Sequence, residues 1–216
     1  MSSDLQTAMP QAIEYPDDDG EPMSDNTWQF QWIVTIVGGL EALYNEDPNV
    51  FVAGNLLWYP VQGKPKVRNA PDVLVAFGRP KGRRGSYKQW EEGEIAPQVV
   101  FEILSPGNRL GKTLKKFRFY QKFGVEEYYI YNPDDGSLEG YRRVGKALKA
   151  IPKMDGFTSP KLGIRFEPAG PNNLVVIKPD STRFLTYVEL SERLEAERRR
   201  ADRMAARLRE LGIEPD

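Results

Sequence analysis

The sequence predicts an α/β (α+β) domain, a mixed β-sheet flanked by helices, with a long charged helix after it. Three observations lead there. The element order is helix, several strands, helix, several strands, which suits a layered mixed sheet. Residues 98–104 are almost continuously apolar, as a central strand covered on both faces is. The run Asn132-Pro133-Asp134-Asp135-Gly136 is a strong turn signal that sends the following strand back antiparallel.

Each element has its own justification. Residues 1–25 are polar, acidic and interrupted by Pro10, Pro16 and Pro22, so they read as a disordered acidic tail. A helix follows over about 26–44, with Ile33, Ile36, Val37, Leu40 and Leu43 at helical spacing and Ser24 or Asp25 as its cap. Gly38-Gly39 weakens it mid-way, as close packing against a sheet would require. Strands are expected at 49–53, 56–59, 72–77, 98–104 and 127–131, with a return at 138–141. Residues 78–94 read as a polar loop. A second helix spans 110–123 and stops at Gly124, with Leu110, Leu114 and Phe117 as its core face. Segments 147–151, 162–166 and 174–177 read as further β structure. The main domain is thus 26–180, followed by a helix within 182–212.

Composition excludes several chemistries. The chain has 216 residues, 40% hydrophobic and 28% charged, with no cysteine and no histidine. Disulfides, thiolate zinc sites, His-based triads and imidazole acid–base catalysis are ruled out. Catalysis must use carboxylates, lysine, hydroxyls or a metal held by oxygen. No apolar run approaches the roughly 20 residues of a membrane helix, and no basic residue precedes an apolar N-terminal stretch. The protein reads as cytoplasmic, without a membrane partner. The net charge of −1 is uneven: seven of the 31 acids fall in residues 1–25, which hold no Lys or Arg. With those set aside, 24 acids face 30 bases, a charge of +6 that suits a polyanion or simply balances a solvated tail.

Two acids interrupt apolar strands. Glu102 stands among Val99, Val100, Phe101, Ile103 and Leu104, where an ionised carboxylate is costly unless paired or bound to a cation. It either reaches solvent or an arginine at a sheet edge, or ligates a metal at the end of a central strand. Asp72 follows Pro71 at the start of Val73-Leu74-Val75-Ala76-Phe77, as a turn residue or as a second ligand. Two carboxylates on adjacent strands suit Mg²⁺ (or Mn²⁺). Phosphodiester hydrolysis without histidine needs such a metal, and gains from a lysine that positions water or phosphate. Lys116 lies near Tyr120 by the helical period, at the border of the apolar surface, either directed toward Glu102 or snorkelling to solvent.

Pro71-Asp72, with Glu102-Ile103-Leu104-Ser105-Pro106 thirty residues later, resembles the PD-(D/E)XK phosphodiesterase superfamily. The stretch VVFEILSPGNRLGKTLKKFRFYQKFGVEEYYIYNP, from Val99, is similar to the Uma-type restriction endonuclease family. The resemblance spans about 26–180. It implies the restriction-endonuclease-like fold and a metal-dependent endonuclease acting on nucleic acid, DNA before RNA. It implies Asp72 and Glu102 as metal ligands and Lys116 as the catalytic lysine supplied by the helix, with Tyr120 supporting. The superfamily's usual lysine position holds Leu104, and an acid that relatives carry four residues before the helix lysine is Lys112. Glu41, the acid inside the first helix, is a further supporting candidate. These departures keep a rival open: a nuclease-fold module that binds nucleic acid or dimerises without cleaving.

The loop basic residues Arg79, Lys81, Arg83, Arg84 and Lys88, together with Lys112, are candidate nucleic-acid contacts, with Tyr87 or Trp90 to stack on a base. A solvated loop is the alternative. In the last helix Leu190, Leu194, Glu197, Ala201, Met204, Leu208 and Leu211 alternate by four and three. This is a short heptad seam with Glu197 as its flaw, expected to form a coiled coil in a homodimer unless the helix folds back on its own domain.

Overall fold

A computed structural model describes residues 13–18, 20, 24–105 and 110–212. Helix α1 spans Thr27–Leu43. Its cap is Asn26, one residue beyond Asp25 and two beyond Ser24, the expected caps: Asn26 is extended, and its side chain accepts from the Gln29 N–H at 2.8 Å. The strands are β1 Val50–Gly54, β2 Trp58–Tyr59, β3 Val73–Phe77, β4 Tyr87–Lys88, β5 Val99–Ile103, β6 Glu127–Tyr131, β7 Leu138–Val144, β8 Ala147–Ala150, β9 Arg165–Pro168 and β10 Leu174–Ile177. Helix α2 is Leu110–Phe123 and α3 is Tyr187–Glu210.

The central sheet has six strands in the order β1-β3-β5-β6-β7-β8. Only β5 and β6 are parallel within it, and α2 is the crossover that parallel neighbours require. This is the mixed α/β sheet expected from the sequence. β2 pairs with β4, a short strand inside the stretch expected to be loop. β9 and β10 form a separate hairpin.

Strand alternation assigns the two faces. Val73, Val75, Val99, Phe101 and Ile103 pack with Ile33, Ile36 and Leu40 of α1 and with Phe166 and Val176 of the hairpin. Leu74, Ala76, Val100, Tyr128 and Ile130 pack on the other face with Tyr120, Val125 and Trp58. Burying the large side chains of this second cluster contributes roughly 1.5–3 kcal/mol each. Buried Glu127 accepts from Tyr129 Oη at 2.8 Å, from the Lys161 N–H at 3.0 Å and from Ser159 Oγ. That carboxylate ties the 159–161 turn to β6.

Part of the acidic segment expected to be disordered packs on the domain. The Tyr15 ring meets Tyr59 at 5.3 Å and Trp90 at 4.9 Å, and the Tyr59 hydroxyl donates to the Pro16 carbonyl at 2.5 Å. Aromatic area there outweighs the polar composition. Residues 1–12 of that segment lie outside the described residues.

Candidate active site

The site forms where β3 and β5 meet near α2. The ladder pairs Val73 with Phe101, so one step further Asp72 and Glu102 stand opposite each other. Both are buried, at 6% and 4% exposure. Neither is a sheet-edge acid reaching solvent.

Asp72 Oδ2 accepts from the Ile103 N–H at 2.6 Å. Gln29, from the first turn of α1, also hydrogen-bonds the Asp72 side chain and donates to the Ile103 carbonyl at 2.9 Å. Burial, and then the Glu102 charge, push the Asp72 pKa up from 3.8 to about 7, against the opposing pull of Lys116 and these hydrogen bonds.

Glu102 is held on both oxygens. Lys116 Nζ lies 2.5 Å from Oε2, and the Tyr120 hydroxyl donates to Oε1. Asn69 Nδ2 donates to the Tyr120 hydroxyl at 2.7 Å, and Asn69 itself exchanges backbone hydrogen bonds with Trp58. Burial and the Glu102 charge raise the Tyr120 pKa well above its ordinary value, so the phenol keeps its proton as a donor.

The core face of α2 differs from the one expected. Leu114 is exposed, while Tyr120 is fully buried and Phe117 partly so. Turning the helix this way buries its aromatic residues and brings Lys116 and Tyr120 together onto Glu102. Of Leu110 nothing is described beyond its backbone, and Pro106 to Arg109 lie outside the described residues. Glu102, Leu104, Lys112, Thr113, Lys116 and Tyr128 line a cavity of about 10 Å³, the room of one water molecule.

Asp72, Glu102, Lys116 and Tyr120 therefore come together. Glu41 does not join them. It is exposed, twelve residues or roughly 18 Å along α1 from Gln29, the first-helix residue that reaches the site. Gln29 had a sequence signal: it sits four residues before Ile33 in the buried stripe of α1. Asn69 had none, because its position depends on the β2 pairing. Among the described residues no group of three or more Asp or Glu could hold a metal.

The basic loop divides. Arg79 Nε lies 2.9 Å from Glu92, and Arg84 lies 2.5 Å from it. Burial favours the neutral Glu92, but the two arginines outweigh it and hold the pKa below the usual value. Arg84 also bonds the Pro80 carbonyl at 2.9 Å and covers the Phe51 ring at 3.9 Å. Lys81 donates to the Tyr44 carbonyl at 2.7 Å, and Lys88 lies 3.6 Å from Glu91. Arg83 and Lys112 are exposed. Tyr87 does not present a face to a base: its ring is buried and its hydroxyl donates to the Ile95 carbonyl at 2.8 Å. β4 draws it inward by pairing with β2.

Residues 3–165 match the profile of the Uma2 family, described as "Putative restriction endonuclease". The chain belongs to the Uma2 family. Membership places it in a nuclease family. Its fold can be laid beside the crystal structure, at 1.96 Å resolution, of a protein from Anabaena variabilis ATCC 29413 described as "a putative nuclease belonging to DUF820". The match has a TM-score of 0.48 and 16% identity, covering 64% of this chain and 75% of that one. No curated protein matches this Uma2 chain. Among its described residues no helix is long and apolar enough to cross a membrane.

Proposed function

We propose that this Uma2 chain is a metal-dependent phosphodiesterase that cleaves nucleic acid, DNA before RNA. The opposed, buried carboxylates of Asp72 and Glu102 carry the reading, and the restriction-endonuclease description of the family favours DNA. Two hard oxygen donors and no soft ones suit Mg²⁺ or Mn²⁺ with water completing the shell. Burial, and then the Glu102 charge, raise the Asp72 pKa, and a divalent cation between the two carboxylates would offset both. Such an ion supplies Lewis-acid polarisation and charge neutralisation at phosphoryl oxygens. The chain's own groups do the rest. Tyr120 and Asn69 fix the Glu102 carboxylate, and Lys116 presents an ammonium for phosphate or water beside it. Cleavage of single- and double-stranded DNA and RNA, with Mg²⁺ or Mn²⁺, is the test. Wild type should cleave and Glu102→Ala should not; equal activity removes the assignment.

A second reading has one observation in its favour. Lys112 lines the cavity where relatives would add an acid, as suits a module that binds nucleic acid without cutting it. Calorimetry with Mn²⁺ separates the two, because tight binding lost in Asp72→Asn and Glu102→Gln belongs to the nuclease alone.

We also propose that α3 pairs with a second copy, antiparallel. None of its 24 residues is buried, and Leu190, Leu194, Met204 and Leu211 are exposed along one seam. A parallel pair would set Glu197 against Glu197 of the partner subunit. An antiparallel pair sets Glu197 against the small Ala201 of the partner subunit, Leu194 against Met204 and Leu190 against Leu208. The chain has no cysteine, so introduced ones report orientation. Leu190→Cys mixed with Leu208→Cys should cross-link, whereas Leu190→Cys linking to itself would show the parallel pair. Leu194→Glu should yield monomers in light scattering.

A further inference from the structure

Beside Glu102 lies a feature that the metal reading does not use. The Tyr128 side chain is fully buried, and its hydroxyl has no hydrogen-bond partner. A buried, unpaired hydroxyl costs roughly 1–3 kcal/mol. Of the buried side-chain oxygens left without a partner among the described residues, only this one belongs to a residue lining the cavity with Glu102, Lys112, Thr113 and Lys116.

The mouth of that cavity carries two groups that suit an anion, a lysine and a helix N-terminus. Lys112 and Thr113 belong to the first turn of α2, a 14-residue helix with no acid in that turn. First-turn backbone N–H groups have no partner within their helix, and the dipole favours negative charge there. Lys116 is paired with Glu102, so among the lining residues it is the charge of Lys112 that faces an incoming group. The cavity of about 10 Å³ admits one oxygen atom rather than a whole phosphate.

We propose that the first turn of α2, Lys112, Thr113 and the Tyr128 hydroxyl form a phosphate subsite. One phosphoryl oxygen enters the cavity and accepts from Tyr128, while the rest of the group sits at the mouth against Lys112. Tyr128 is a binding residue here, and its ligand is a phosphate of the substrate or product chain. The subsite deepens the phosphodiesterase reading and rests on it for the identity of that chain.

Inorganic phosphate, titrated by calorimetry into metal-free protein in EDTA, tests it. Wild type should bind, Tyr128→Phe should bind about tenfold more weakly, and Lys112→Glu should lose binding further. Tyr128→Phe keeps the packed ring and removes a hydroxyl that has no partner, so its thermal unfolding should be unchanged or raised. A merely structural tyrosine would lower it. Phosphate binding that is equal in wild type and Tyr128→Phe, or absent from wild type, overturns the subsite. Metal-dependent cleavage by the same proteins is read separately. If Glu102→Ala cleaves like wild type while phosphate still depends on Tyr128, the nuclease reading falls and the subsite stands. If cleavage needs Glu102 while phosphate ignores Tyr128, the reverse holds.

Discussion

Lys116 Nζ and Glu102 Oε2 are 2.5 Å apart, joining the middle of α2 to the end of β5. The Glu102 side chain is 6% exposed and that of Lys116 23%, so solvent screens the pair only partly. Removing the lysine leaves a buried carboxylate with Tyr120 as its partner. Lys116→Met should therefore lower stability by about 2 kcal/mol in urea unfolding. Glu102→Gln in the same chain removes the orphaned charge, so the double variant should lose less than the sum of the singles. Strict additivity would show that the contact carries no coupling.

Asp72 makes stability depend on pH. Its pKa is raised from 3.8 to about 7 by burial and by the charge on Glu102. Between those values the folded chain binds more protons than the unfolded one, so its stability falls as pH rises. The contribution is fully present below about pH 4 and lost above about pH 7, by at most about 4 kcal/mol. Asp72→Asn still accepts from the Ile103 N–H but does not ionise. The stability of Asp72→Asn relative to wild type, in metal-free buffer, should therefore climb from pH 4 to pH 7 and then level off. A flat difference would show that Asp72 titrates normally. Mn²⁺ should raise the wild-type unfolding temperature more at pH 8 than at pH 5, where Asp72 is protonated.

How much of this was legible in the sequence follows from which signals are local. Glu102 was legible because a carboxylate inside Val99 to Leu104 breaks a pattern that solvation energies enforce. The spacing of Lys116 and Tyr120 put them on one border of the helix, and only the family resemblance marked Tyr120 as part of the site; the exposure of Leu114 was not legible. The aromatic residues Phe117, Phe119, Tyr120 and Phe123 pack into the core in place of Leu114, and the same rotation sets Lys116 on Glu102. Gln29 and Asn69 arrive from distant segments, and neutral amides break no pattern strongly. Tyr128 lies in a strand buried on both faces, where an aromatic residue is unremarkable and only the missing partner of its hydroxyl marks it.

The loop arginines show the same limit. Arg83 and Arg84 are neighbours of one type, yet Arg84 is held by Glu92, by two backbone carbonyls and over the Phe51 ring, while Arg83 is exposed. Arg84→Ala should cost about 3 kcal/mol, because Glu92 stays buried with Arg79 alone. Arg83→Ala should stay within about 0.5 kcal/mol of wild type. In DNA binding the order reverses: Arg83→Ala should lower the slope of log affinity against log salt by about one, as loss of one phosphate contact does. An unchanged salt slope in Arg83→Ala would remove this loop from the nucleic-acid interface.

The paired glycines of α1 separate a packing role from a propensity cost. A Cβ at Gly39 would stand 2.3 Å from the Phe184 ring, whereas a Cβ at Gly38 would meet nothing within 4 Å. The close approach anticipated for this pair is thus real at one position, and its partner is the segment leading into α3 rather than the sheet. Gly39→Ala should cost about 1–3 kcal/mol, since Phe184 must move from a packed site. Gly38→Ala should gain about 0.5–1 kcal/mol, because an exposed mid-helix glycine loses only backbone entropy when replaced. Urea unfolding of the two variants reads both signs at once. If Gly39→Ala is as stable as Gly38→Ala, the Phe184 contact does not hold the start of α3 against α1.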